Sequence, residues 1–223
     1  MAIADATTYI GKRYEFKYLL SPHTAAVIER HLCALSRVTA DPRSKGGPYI
    51  VNSLYFDTQL LGDYRDKDGS FLQRKKLRAR MYESTWANIS TPVWLEVKHK
   101  HNMNIAKQRA QISNVAWRRF SEGYHVHNLP LSDAENDSKK EALSAFRYHY
   151  RRGLYSPSAA IRYRRSAYVE NFTSLVRISF DKDIVTAVLN FLIDVIDIGT
   201  IIKCIKVHYL CIGVFTENKI NEI

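Results

Sequence analysis

Cysteine is scarce in this 223-residue chain: Cys33, Cys204 and Cys211 stand far apart. Their odd number, and the lack of any Cys-x-x-Cys pair, argue against a disulfide framework or a zinc ribbon and point to a reducing, cytoplasmic setting. Long apolar runs are missing too. The best stretch, "IVTAVLNFLIDVIDIGTII", carries Asp194 and Asp197. Either carboxylate is costly at a bilayer centre, so no membrane span is expected. The N-terminus has neither the basic start nor the apolar core of a signal peptide. No Gly-x-x-x-x-Gly-Lys-Ser/Thr loop occurs, which argues against a P-loop nucleotide site. The histidine pairs of "HKH" and "HVH" sit at strand spacing without a third ligand and do not suggest a zinc site.

What the chain has in excess is positive charge. Hydrophobic residues at 46% and charged residues at 25% are ordinary for a soluble globular protein, but a net charge of +11 is not. So basic a balance favours polyanionic partners. The excess is uneven: residues 184–223 hold three lysines and no arginine against four carboxylates, so the basic function belongs to residues 1–183. We therefore divide the chain into a domain over residues 9–183 and a divergent or truncated C-terminal segment over 184–223.

The domain reads as strands with a few helices. "RYEFKYLL" (13–20), "YIVNSLYFD" (49–57), "QRKKLRARMY" (73–82), "TPVWLEVKHKH" (91–101), "KQRAQIS" (107–113), "SAAIRYRRSAYV" (158–169) and "LVRISFDKD" (175–183) have strand character. "SPHTAAVIERHLCAL" predicts a helix capped by Ser21, and "DAENDSKKEALSAFRYHYRR" another with an acidic start and basic end. "RDKDGSF" reads as a hairpin turn.

Alternation then sorts the side chains. Arg13, Glu15 and Lys17 share a face opposite Tyr14, Phe16 and Tyr18. Arg74, Lys76, Arg78 and Arg80 oppose Leu77, Ala79 and Met81, while Trp94, Glu96, Lys98 and Lys100 oppose Val93, Leu95 and Val97. Arg162 aligns with Arg164, and Arg177 with Ser179 and Asp181. A sheet with one wet face accounts for any single strand. A wet face normally mixes signs, however, and these faces are mainly cationic. An α+β fold with an antiparallel tunnel barrel, a basic interior and helices packed outside accounts for all of them together. Two such cations 4 Å apart repel by about 4 kcal/mol at an effective dielectric of 20, so they call for a polyanion.

"RYEFKYLL", "SLYFDT", "KLRARMY", "LEVKHK", "KQR", "IRYRRSAY" and "VRISFD", in that order, resemble the VTC domain, the polyphosphate polymerase module of the triphosphate tunnel superfamily, related to CYTH domains. The resemblance implies ATP and inorganic polyphosphate or triphosphate as ligands, with Mn²⁺ or Mg²⁺ as cofactor. It implies phosphate contacts at positions matching Lys17, Arg78, Arg80, Lys98, Lys107, Arg164 and Arg177; of these, Arg78, Arg80, Lys98, Arg164 and Arg177 are the candidate catalytic set. Lys76, Lys100, Arg109 and Arg162 are further candidate substrate contacts. Alternation does not fix the facing of Lys107. Glu15 and Glu96 are the carboxylates left to hold a metal, or else to pair with neighbouring cations. The family's C-terminal Leu-Glu-x-Lys strand, whose glutamate helps bind the metal, is not identifiable in residues 184–223.

Three functions fit: ATP-dependent polyphosphate synthesis, hydrolysis of triphosphate or polyphosphate on the same tunnel, or non-catalytic binding of polyphosphate or RNA. Nucleic acid is the less favoured ligand, because the tyrosines beside the basic residues are accounted for by packing.

Overall fold

The structure, a computed structural model, describes residues 13–83, 91–102, 104–125, 129, 137–172, 176–188 and 210–217. Strand β1 (Arg13–Leu20) leads into helix α1 (Pro22–Ala34). Ser21 caps that helix, its side chain accepting from the Thr24 amide at 3.1 Å, and Pro22 supplies a preset first turn. Short strand β2 (Val38–Ala40) and a 3₁₀ turn (Pro42–Ser44) precede β3 (Tyr49–Asp57). Helix α2 (Gly62–Asp68), β4 (Gln73–Met81), β5 (Val93–His101) and β6 (Asn104–Ile112) follow. Helices α3 (Asn114–Ser121) and α4 (Asp137–Arg152) come next, then the long strands β7 (Ser156–Glu170) and β8 (Val176–Val188), and finally β9 (Leu210–Glu217).

All pairings are antiparallel, in the order β1-β9-β8-β7-β3-β4-β5-β6, with β2 on β7. The sheet curls into a half-barrel, so that Cα atoms of β1 and β6 come within 8 Å of each other without forming a ladder. Leu54, Leu77, Ala79, Leu95, Val97 and Ala110 line the outer face and are buried against Trp117, Phe120, Leu143 and Phe146 of α3 and α4. Burying each leucine, valine or phenylalanine among them contributes about 1.5–3 kcal/mol, which fixes this face of the sheet outward. A smaller outer cluster joins Ala25 and Leu32 of α1 to Phe180 of β8.

"RDKDGSF" is not a hairpin turn: most of it belongs to α2, which begins at Gly62. The reason lies upstream. Asp57 accepts from the amides of Asp63 at 2.9 Å and Tyr64 at 3.0 Å, and Thr58 Oγ1 from that of Gly62 at 2.8 Å, satisfying the first turn's free donors. Beyond residue 183, β8 continues to Val188 and β9 lies between β1 and β8. The other residues of the C-terminal segment, among them Asp194 and Asp197, lie outside the described ones.

Candidate functional site

Cross-strand register builds the inner face row by row. One row runs Lys76–Lys98–Lys107 across β4, β5 and β6, and the next runs Tyr55–Arg78–Glu96–Arg109 from β3 to β6. Ser53–Arg80–Trp94–Gln111 flanks them on one side, and Arg74–Lys100 on the other. Directly opposed residues have Cβ atoms about 5 Å apart, so like charges in one row repel unless an anion lies between them. On the inner face of β4–β6 the only carboxylate is that of Glu96. Register thereby fixes Lys107, which alternation left open: it shares the face of Lys98.

Glu96 is fully buried and gathers three of these cations. Arg78 Nε donates to Oε2 at 2.5 Å, Lys107 Nζ lies 2.8 Å from Oε1, and Arg109 Nε lies 3.2 Å from the same oxygen. Burial would raise the Glu96 carboxyl, but Arg78, Arg80 and Lys107 hold it well below the usual carboxylate range. Arg78 also donates to the Tyr55 hydroxyl at 3.2 Å, and buried Arg80 to Ser53 Oγ at 3.1 Å. Burial pushes Lys107 down, and Arg78 and Arg109 add to this against the pull of Glu96, leaving it at about 8. Tyr55 arrives at about 8 from above: burial opposes ionisation, yet Arg78, Arg80 and Lys76 outweigh it.

Further round the curl, Arg165 of β7 makes a bidentate pair with Asp181 of β8, at 2.6 and 2.7 Å. Arg177 reaches Asp41 at 3.1 Å, and Arg43 of the 3₁₀ turn stacks on Tyr82 with its guanidinium 4.4 Å from the ring centre. The Arg109 guanidinium lies 3.6 Å above Trp94. Such stacking suits arginine, whose plane is only weakly hydrated.

Two of the expected residues lie on the other side. Arg162 pairs in register with Asn52 and Arg164 with Ile50, which puts both on the outer face, and Arg164 binds Asp183 in the open. Alternation aligned them correctly but could not say which side faced in. Arg165, paired with Tyr49, takes the inner position instead. The only sequence signal for it was its place beside Arg164 in "IRYRRSAY", and Arg43 had none beyond its charge. For β1, the register sets Lys17 in line with Gly213 and Ser179, and Glu15 in line with Phe215 and Arg177. Their side chains are outside the described residues.

A divalent metal is implied by the family, and the described residues do not fit one. Both oxygens of Glu96 are occupied by cations, Asp41 is paired with Arg177, and Asp181 with Arg165. No cluster of three His, Cys, Asp or Glu side chains suited to a metal occurs among the described residues.

A curled antiparallel sheet with helices outside and cations gathered on its inner face is the architecture of a triphosphate tunnel protein. The VTC domain family matches residues 12–212, most of the chain, and the chain belongs to that family. No curated protein sequence matches it. Among solved structures it is similar to a protein from Bacillus halodurans described as a candidate adenylate cyclase, at 13% identity and a TM-score of 0.53, over 93% of this chain and 83% of that one. It is also similar to a candidate adenylyl cyclase from Hippeastrum described as having a dominant triphosphatase activity, at 14% identity and a TM-score of 0.50, over 92% and 79% of the two chains. At such identities these likenesses establish the fold. Among the described residues no helix is long and apolar enough to cross a membrane.

Proposed function

We propose that the inner face binds the triphosphate of ATP and that the chain transfers the γ-phosphate to a growing inorganic polyphosphate. The observation that carries this reading is the inner face of β4–β6, where the row Lys76–Lys98–Lys107, the row Arg78–Glu96–Arg109 and the flanking Arg74, Arg80 and Lys100 set eight cations against a single carboxylate. Membership of the VTC family supports a function on triphosphate or polyphosphate. Phosphoryl transfer asks a protein mainly for positioning and charge neutralisation. Arg78 and Arg80 offer planar forks to phosphate oxygens, and Lys76, Lys98, Lys100 and Lys107 act as point charges along the chain. Lys17, Arg165 and Arg177 would extend the contacts round the curl, with Arg109 held over Trp94 at the margin. A terminal phosphate oxygen of the acceptor attacks the γ-phosphorus, its bond to the β-bridging oxygen breaks, and ADP leaves. The nucleophile is already anionic, so no histidine or serine base is needed. In the same reading the protein works in the cytoplasm, and Mn²⁺ or Mg²⁺ supports the reaction; no step is assigned to the metal, since the described carboxylates do not fit it.

Incubation with ATP and Mn²⁺, followed by gel analysis for long-chain polyphosphate, tests the reading directly. Chain growth supports the polymerase. Release of orthophosphate without chain growth would replace it with a tri- or polyphosphatase on the same face, a second reading that the buried, pre-paired cations fit equally well.

A further inference from the structure

Outside the half-barrel, a cleft of about 620 Å³ opens between the end of α4, the start of β4 and the end of β5. It is lined by Arg74, Lys75, Lys100 and Arg152, with Asp66 as the only carboxylate. Lys75 is already engaged by Asp63 at 3.0 Å, which leaves three cations facing one carboxylate. Neither Arg74 nor Lys100 has a hydrogen-bonded or ionic partner among the described residues. At the back of the cleft the rings of His99 and His149 pack 5.1 Å apart, centre to centre. Burial lowers both, helped for His149 by His99, Lys75 and Arg152, which bring it to about 4. With both imidazoles shifted away from the charged form, the charge of the cleft is that of its lysine and arginine side chains, and its potential is positive.

The geometry points to this cleft as a second binding site for phosphate groups, separate from the inner face and reached from it through Arg74 and Lys100, which border both. The ligand class is a condensed phosphate: pyrophosphate, or the end of a longer chain. Arg152, held against Tyr148 at the end of α4, would close the outer side by turning its fork toward phosphate oxygens. The site does not depend on the reaction proposed above.

Titrating inorganic pyrophosphate into the full chain, while following the ring signals of His99 and His149 by NMR, tests it. We expect those signals to move in the native protein and equally in an Arg78→Ala/Arg80→Ala variant. Arg152→Ala should weaken the effect about tenfold and Arg152→Lys much less, since loss of one charge-assisted fork is worth that much. The amide spectrum of each variant checks its fold. Histidine signals that stay still in the native protein, or that move only while Arg78 and Arg80 are present, or that ignore Arg152→Ala, would overturn the proposal. Long-chain polyphosphate in a parallel titration separates the two sources. Tighter binding than pyrophosphate that weakens in the inner-face variant marks a threaded chain, and equal affinity marks a free ligand; both outcomes support the site.

Discussion

Arg78 and Glu96 stand opposite one another on β4 and β5, joined by a 2.5 Å hydrogen bond at the centre of the inner face. Glu96 is the counter-charge that allows Arg78, Lys107 and Arg109 to sit together before any ligand arrives. A buried ion cluster of this kind contributes little to stability as a whole, but removing one member leaves the others uncompensated.

Glu96→Gln should therefore cost about 3 kcal/mol, roughly 6–12 °C in Tm. Inorganic triphosphate should restore more of the variant's Tm than it adds to the native protein, and should bind the variant more tightly. Thermal melts with and without triphosphate check this; a variant that melts normally and gains nothing would remove Glu96 from the centre of the site.

Arg78→Ala should lower triphosphate affinity at least a hundredfold and destabilise the fold by about 2–3 kcal/mol, because Glu96 loses its closest partner. Arg78→Lys should recover part of the stability while losing the hydrogen bond to Tyr55. Calorimetric titration paired with denaturant unfolding separates the two effects. Unchanged affinity in Arg78→Ala would count against the inner face as the phosphate site.

Binding should weaken as pH rises through about 8. Lys107 and Tyr55 both titrate near there, and in each case deprotonation makes the inner face less positive. An anionic ligand favours the protonated forms, so binding near pH 8 should take up protons and lose up to about tenfold in affinity per pH unit per group above it. Both folded pKa values lie below their ordinary ones, so the folded state binds fewer protons than the unfolded state between about 8 and 10. Stability without ligand should therefore rise across that window, opposite in sign to affinity. Titrations at several pH values, in buffers of different ionisation enthalpy, measure both. The double variant Lys107→Arg/Tyr55→Phe should flatten the profile.

Arg165→Ala should weaken triphosphate binding and destabilise the β7–β8 ladder, since Asp181 would lose a bidentate partner. Arg164→Ala should change affinity less than twofold, because its pair with Asp183 is exposed on the outer face. Equal effects of the two substitutions would count against Arg165 as the phosphate contact of β7.

The sequence by itself determined seven of the eight strands in residues 13–183, all but the three-residue β2, which residues share a face on each, and that the shared faces are mainly cationic. Side chains alternate on a strand whatever surrounds it, so Arg78 with Arg80, and Lys98 with Lys100, were readable from spacing alone. Alternation carries no sign, however: only the pairing of Ile50 with Arg164 and of Tyr49 with Arg165 showed which half of β7 turns inward. Helix α2 escaped for a related reason, its first-turn donors being satisfied by Asp57 and Thr58 from the end of β3. The Glu96 cluster was likewise decided by tertiary structure, since Arg78, Glu96, Lys107 and Arg109 come from three strands and meet only when the ladders set their register.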